Sequence, residues 1–229
     1  MHKKLFLIFL YLILPIHLKA EESILLFGAE KEKEAGYYYL GQLAPLQGSK
    51  LGNGYVHRLW LDYNNFNYDL NSTNVDAKAK GISYALGYQG LVDNSFSYAG
   101  FIGAGFRNTD LSPNDPGNKS EGSKLNAMLL VEAEKKFTNF YKLNFYASSE
   151  PNVESYWSRL KLSFGDHIKI GPEFTIQGDP SYDTKKIALF VSDIDISNET
   201  KMGLKIGQSK TNGSGHEAFI GIEFVKVLK

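Results

Sequence analysis

The chain has 229 residues, with 25 Lys and Arg against 25 Asp and Glu, so its formal net charge is zero. It therefore lacks the basic surplus that nucleic-acid binding needs. It contains no Cys, which excludes disulfides, thiolate metal sites and a catalytic thiol. With 43% hydrophobic residues, 22 Gly and only 7 Pro, the composition favours one turn-rich β domain over a disordered chain.

The N-terminus has the layout of a secretory signal peptide. Two lysines, Lys3 and Lys4, precede an uncharged apolar run over residues 5–14, and a polar stretch then ends at Ala20. A transmembrane anchor is the alternative, but the run is about half the roughly 20 apolar residues that a spanning helix needs. We therefore expect residues 1–20 to be a cleaved signal peptide and residues 21–229 to be the exported protein.

Period-two alternation of apolar and polar residues dominates the rest of the chain. In one example, Leu160 and Leu162 alternate with Arg159 and Lys161. Segments of this kind recur between turn-forming clusters, near residues 23–30, 35–46, 54–70, 77–90, 94–107, 122–137, 138–149, 153–164, 167–178, 183–194, 200–209 and 216–228. This pattern predicts an all-β fold, an antiparallel up-and-down transmembrane β-barrel of about 12 strands, with 10 also possible.

The connections between these segments alternate in length. We expect short turns near residues 91–93, 137–138 and 165–166 to face the periplasm, and longer loops near 71–75, 108–121 and 209–215 to face the exterior. Membrane barrels also carry aromatic girdles at both interfaces. The aromatic residues that cluster toward predicted strand ends are Tyr37, Tyr38, Tyr39, Tyr63, Phe66 and Tyr68.

A soluble sandwich or lipocalin-like barrel, acting as a periplasmic ligand binder, would show the same alternation with its apolar face turned inward. Periodicity does not determine which face is inside. The export signal, the charged residues that share a parity with Gly, and the placement of the aromatics favour the membrane form. We therefore expect the protein to lie in the bacterial outer membrane, in contact with its lipid.

Candidate ligand-binding residues lie on the parity expected to face the lumen. Arg58, Trp60 and Asp62 share one parity, and an aromatic face beside charged groups can bind sugars. The alternative is a lumen filled by polar side chains that satisfy one another. Glu173 is a further candidate, because the preceding Gly171-Pro172 predicts a bulge that could re-aim its carboxylate.

The motifs of catalytic and metal sites are absent. There is no Gly-x-Ser-x-Gly, His-Glu-x-x-His or calcium-loop sequence, so we expect no catalytic residues, metal or cofactor. Beyond residue 20, His57, His167 and His216 lie on separate segments. The group Ser214, His216 and Glu217 is the nearest approach to a hydrolase site, and an outer-membrane lipid hydrolase is therefore the enzymatic alternative.

Several segments resemble a known family. They are Ala35-Gly36-Tyr37-Tyr38-Tyr39-Leu40-Gly41, Leu43-Ala44-Pro45-Leu46, Leu51-Gly52-Asn53-Gly54-Tyr55-Val56-His57-Arg58-Leu59-Trp60, residues 77–89, Gly171-Pro172-Glu173, Gly178-Asp179 and Tyr182-Asp183. Together they resemble the cellulose biosynthesis protein BcsS family. The resemblance implies an exported barrel without catalytic activity and with an accessory role in making or exporting cellulose, an exopolysaccharide. Polysaccharide and the cellulose-synthesis machinery would then be its partners.

Overall fold

Twelve antiparallel strands form a closed barrel in the part of the chain described by the computed structural model, residues 22–70, 73–180, 182–212 and 215–229. The predicted signal peptide, residues 1–20, lies outside the described residues. Each strand pairs with its neighbours in sequence, and β1 closes the barrel against β12, with Ser23 opposite Leu228. The strands are β1 (Ser23–Glu32), β2 (Ala35–Pro45), β3 (Gly54–Leu70), β4 (Thr73–Asp93), β5 (Phe96–Ser112), β6 (Gly122–Lys136), β7 (Tyr141–Glu150), β8 (Ser155–Phe164), β9 (Lys169–Asp179), β10 (Tyr182–Ser197), β11 (Thr200–Thr211) and β12 (His216–Leu228).

The apolar face of the barrel points outward. On β11, Leu204 and Ile206 are 42% and 63% exposed, whereas the side chain of Lys205 between them is 19% exposed. Lys205 binds Glu30 of β1, and Lys186 of β10 reaches the same carboxylate across two intervening strands, a span that only the concave lumen side allows. The transmembrane barrel prediction is confirmed, and a soluble barrel, which would bury its apolar face inside, does not fit.

The two ends of the barrel differ in their connections. We call the end where Ser23 meets Leu228 the base, and the opposite end, which carries the 113–121 connection, the rim. The expected long loop near 71–75 is wrong, because β3 continues to Leu70 and β4 begins at Thr73. The base also carries one connection longer than expected, residues 46–53, which contains a bridge between Lys50 and Asn53.

Alternation along the strands splits the predicted aromatic cluster between the two faces. Tyr38 and Tyr63 point outward with ring centroids 6.1 Å apart, as expected for a girdle. Tyr37 and Tyr39 instead have the parity of the lumen. Phe66 and Tyr68 share the lumen parity as well, and the Tyr68 hydroxyl donates to Asp115 in the 113–121 connection at 2.7 Å. Only part of this cluster can therefore contact lipid.

The bulge predicted at Gly171-Pro172-Glu173 is wrong. Pro172 lies opposite Leu189 in an unbroken register with β10, and the register with β8 is the same on both sides of it. The pairing with β8 merely has a gap there, because proline has no N–H to donate. Glu173 thus faces the lumen by simple alternation. The bulge nearest the lumen charges lies in β10, between Val191 and Ile194.

Helical structure in the described part of the chain is minor. A short 3-10 helix, Pro151–Val153, lies between β7 and β8. Within the described ranges, no helix is long and apolar enough to cross a bilayer.

Candidate functional site in the barrel lumen

Trp60 lies at the centre of an aromatic stack on the lumen side of β2 and β3. Its indole is stacked on the Tyr39 ring, with centroids 4.7 Å apart and planes 11° from parallel, and its Nε1 donates to the Tyr37 hydroxyl at 3.2 Å. Gly41 lies directly opposite Trp60 on β2, and a Cβ there would come within 2.2 Å of the indole Cε3. A glycine at this position lets the indole approach β2 closely.

Arg58 covers the same indole. Its guanidinium carbon lies 4.0 Å from the Trp60 ring centroid, and the residue is only 9% exposed. Two groups this close to one centroid cannot share a face, so Tyr39 and Arg58 occupy both faces of the ring. Stacking of a sugar on Trp60 would therefore require one of these neighbours to move.

Asp62 pairs with an arginine that the sequence analysis did not single out. Its carboxylate accepts from Arg107 on β5, with N–O distances of 3.1 and 2.9 Å, and its side chain is 7% exposed. Gly81 lies opposite Asp62 on β4, where a Cβ would come within 2.5 Å of the carboxylate. The pair makes Asp62 a neutralised lumen group.

Glu173 lies in a second cluster, on the wall formed by β8 to β12. Its Oε1 accepts from Lys205 at 2.9 Å, and its Oε2 lies 3.3 Å from Lys161. Lys161 also donates to Glu223 of β12 at 2.9 Å. The residue is 2% exposed, so each of its oxygens depends on one of these two lysines.

Ion pairs extend from this cluster across the lumen toward β1. Lys205 lies 2.7 Å from Glu30, and Lys186 of β10 contacts both Glu30 and Glu32. The Ser209 hydroxyl donates to the other oxygen of Glu32 at 3.0 Å. These contacts tie β1, β10 and β11 together through the interior.

The wall formed by β3 to β6 is filled by apolar side chains instead. Val56 and Leu130 are fully buried, Phe101 and Met128 nearly so, and Leu43 packs against them from β2. Charged pairs therefore occupy the lumen along β8 to β12, and apolar side chains occupy it along β3 to β6. Toward the base, a cavity of about 150 Å³ remains beside Arg159 and Lys161.

The four predicted ligand-binding residues do not form one site. Arg58 and Trp60 are in contact, Asp62 pairs with Arg107, and Glu173 belongs to the lysine cluster on another wall. Sequence reasoning missed Tyr39 and Arg107 as partners. Their parity placed them inside, but parity carries no information about contacts between strands.

The three histidines among the described residues lie apart on the outside of the barrel. His57 has the outward parity and its ring lies 5.8 Å from that of Tyr84, while His167 is 95% exposed in the base turn between β8 and β9. His216 is exposed on the outer face, opposite Lys210, and Ser214 lies outside the described residues. Among the residues that the structure describes, no group of three His, Asp or Glu could hold a metal ion.

Comparison with known proteins identifies one family and a common fold. The sequence model of the cellulose biosynthesis protein BcsS family matches residues 25–228. A search of curated proteins finds no match.

Among solved structures, three similar folds are those of the β domain of the Bordetella autotransporter BrkA, an outer-membrane channel from Pseudomonas putida F1 and the KdgM porin. Their TM-scores are 0.56, 0.54 and 0.51, with 10%, 11% and 10% identity. The alignments cover 90%, 90% and 89% of this chain, and 98%, 94% and 98% of the other chains. Identities this low establish a shared fold alone.

Proposed function

The chain belongs to the cellulose biosynthesis protein BcsS family, and from this premise we propose that it is a non-enzymatic outer-membrane barrel with an accessory role in bacterial cellulose production or export. The match extends over nearly the whole described barrel. This coverage supports assigning the proposed role to the barrel.

The outward apolar face supports the proposed outer-membrane location. Exposed Leu, Ile and Phe side chains along strands such as β9 and β10 would contact lipid chains. The segment of residues 1–20 would direct export and then be removed. Because the longest described connection, residues 113–121, lies at the rim, we place the rim at the cell exterior and the base in the periplasm, where cellulose-synthesis proteins could reach it.

The filled lumen argues for an accessory role rather than a conduit for the polymer. The pair of Lys161 with Glu223 and the contact of Lys186 with Glu30 both cross the interior. A glucan chain passing through would have to separate these buried charges, at a cost of several kcal/mol for each one left unpaired. We infer that the barrel holds or orients polysaccharide or its machinery at the membrane. Arg58, Trp60, Asp62 and Glu173 remain the proposed lumen contacts for such a ligand.

Gene deletion and complementation test this proposal. We expect loss of the protein to alter the amount or surface presentation of cellulose, and wild type to restore it. Trp60→Ala and Arg58→Ala should restore less than His216→Ala, because His216 lies outside the lumen. A heat-dependent shift in gel mobility would verify that each variant is folded.

Two results would overturn the proposal. If deletion leaves the amount and surface presentation of cellulose unchanged, the proposed accessory role is wrong. Loss of a lipid-deacylating or phospholipid-cleaving activity in the His216→Ala strain, read by lipid profiling, would instead support the hydrolase alternative.

A further inference from the structure

The cavity in the base half of the lumen has unused hydrogen-bonding groups. It measures about 150 Å³ and is walled by β6 to β8 on one side and β10 to β12 on the other. Asn144, Ser163, Ser192 and Asp193 line it, and in the described part of the chain none of these side chains has a hydrogen-bond or ion-pair partner. Ser163 is buried, at 4% exposed, whereas the other three are half-buried. Most buried polar groups in folded proteins are paired, so unpaired groups that surround one cavity are available to a ligand.

Arg159 adds a fifth unsatisfied group. Its Nε has no partner, and its one ion pair, with Glu223, is long at 3.8 Å. Glu223 is already engaged by Lys161 at 2.9 Å. The guanidinium therefore has N–H donors to spare, and it borders the cavity.

A bulge in β10 brings two of these groups to the cavity. The pairing register with β11 shifts between Val191 and Ile194, and Asp193 adopts φ of 62°. A residue other than glycine is uncommon in this left-handed region, and bulges often re-aim side chains next to binding sites. Here the bulge exposes Ser192 and Asp193 to the cavity, although neither gains a partner in the protein.

The chemistry of the lining selects a neutral ligand rich in hydroxyl groups. The Asp193 carboxylate only accepts hydrogen bonds and the Arg159 guanidinium only donates them, whereas Asn144 and the two serines do both. A ligand hydroxyl also donates and accepts, so it can pair with each of these groups. The cations and acids around the cavity nearly balance, since Lys142, Arg159, Lys161 and Lys201 face Glu134, Asp193 and Glu223. Phe190 adds an apolar surface of the kind that packs on sugar C–H groups.

We propose that the base cavity binds one neutral pyranose unit at the end of a glucan chain. At about 30 Å³ per water molecule, the cavity has the volume of about five waters, which suits one sugar ring and not two. The choice of a glucan rests on the proposed function, whereas the class of neutral, hydroxylated ligand rests on the lining alone. The site is separate from the Trp60 stack, whose faces are already occupied.

Titration of the purified, folded barrel with cellobiose and cellotetraose tests this site, in an amine-oxide detergent so that no sugar headgroup competes. The chain has two Trp, and Trp157 lies 5.4 Å from the Arg159 guanidinium. A Trp60→Phe background would leave Trp157 as the only indole reporter, with calorimetry as a second readout. We expect saturable binding of both sugars.

Asp193→Gly is the informative variant, because glycine keeps the left-handed backbone while the carboxylate is removed. It should weaken binding about tenfold, as expected for loss of one good hydrogen bond. Asp193→Asn, which also tolerates this conformation, provides a second variant if the first fails to fold. Asp166→Asn removes the same charge from an exposed base turn and should leave affinity unchanged.

Three outcomes would overturn the inference. They are no saturable signal with either sugar, binding of glucuronate but not of the neutral sugars, and equal effects of Asp193→Gly and Asp166→Asn. Sugar binding without a cellulose phenotype on deletion would refute the proposed function and leave this site standing. A cellulose phenotype without sugar binding would refute this site and leave the proposed function standing.

Discussion

Glu173 illustrates how individual charges are accommodated inside this barrel. It is 2% exposed, yet each carboxylate oxygen lies within 3.3 Å of a lysine ammonium group. Burial of a carboxylate is tolerated only when its charge is compensated in this way. At the residue scale, the lumen is stabilised by a network of specific pairs, in which each of the two lysines at Glu173 is shared with a second acid.

Glu173→Gln tests this dependence. We expect a loss of about 1.5–3 kcal/mol in the free energy of unfolding, because Lys161 and Lys205 each lose one of their two acids and keep the other. Denaturant titration of the barrel in micelles would measure the loss. Glu34→Gln, which breaks a solvated pair with Lys33 in the rim turn, should cost about 0–1 kcal/mol. Equal costs for the two variants would contradict the role of buried pairing.

Gly41 makes a second prediction at the residue scale. Gly41→Val would place a branched side chain where a Cβ alone already approaches the Trp60 indole to 2.2 Å. We expect the indole to be displaced from Tyr39, with a shift in Trp fluorescence and a cost of about 1–3 kcal/mol. Gly100→Val, on β5 where a Cβ meets nothing within 4 Å, is the matched control. An unchanged indole environment in Gly41→Val would show that the stack is not held by this close approach.

Individual strands act as two-sided elements whose faces meet different solvents. On β8 the outward Leu160 is 38% exposed, while the side chain of the adjacent Lys161 is 11% exposed and pairs with two acids. The same alternation survives at Pro172, because a missing N–H removes a hydrogen bond without changing which face a side chain occupies. Parity therefore holds along a strand unless a bulge inserts an extra residue, as one does in β10.

Leu160→Arg tests the outward face of β8. We expect a cost of about 2–4 kcal/mol near the middle of the bilayer, because the guanidinium would have to enter hydrocarbon. Refolding into lipid vesicles at a series of denaturant concentrations would measure it. Lys169→Gln, at the base end of β9, should be milder because Lys169 donates only to the Gly165 carbonyl of the adjacent turn. If Leu160→Arg cost less than Lys169→Gln, the outward face of β8 would not contact lipid.

Closure of the sheet governs the behaviour of the whole molecule. With β1 paired to β12, no strand edge is left open, and the lumen is bridged by charges on one side and apolar side chains on the other. We expect the protein to fractionate with the outer membrane and to shift its gel mobility on boiling, as closed barrels resist detergent. Recovery in the soluble periplasmic fraction without the shift would contradict the membrane assignment.

The filled lumen makes a separate prediction for the whole molecule. In planar bilayers we expect a conductance far below that of an open porin, since ions must pass Lys186, Lys205 and their acids. Lys186→Ala combined with Lys205→Ala should raise the conductance by removing both bridging amines. A large conductance in the wild-type barrel would show that the lumen is open.

The sequence by itself predicted the strands, about twelve in number, and the two faces of each, because period-two alternation is a local property that a strand keeps between bulges. It also identified the family, through short segments spread along the barrel. The tertiary structure decided which face is inside and which lumen groups meet. Contacts such as Asp62 with Arg107 or Lys186 with Glu30 join strands that are not neighbours, so they depend on how far each strand is staggered when the sheet closes. The β10 bulge at Asp193 is marked in the sequence, because the exposed apolar residues switch from odd positions, Ile187 and Leu189, to the even position Ile196. Which groups the bulged residues meet depends on the partner strands, so only the tertiary structure decided it.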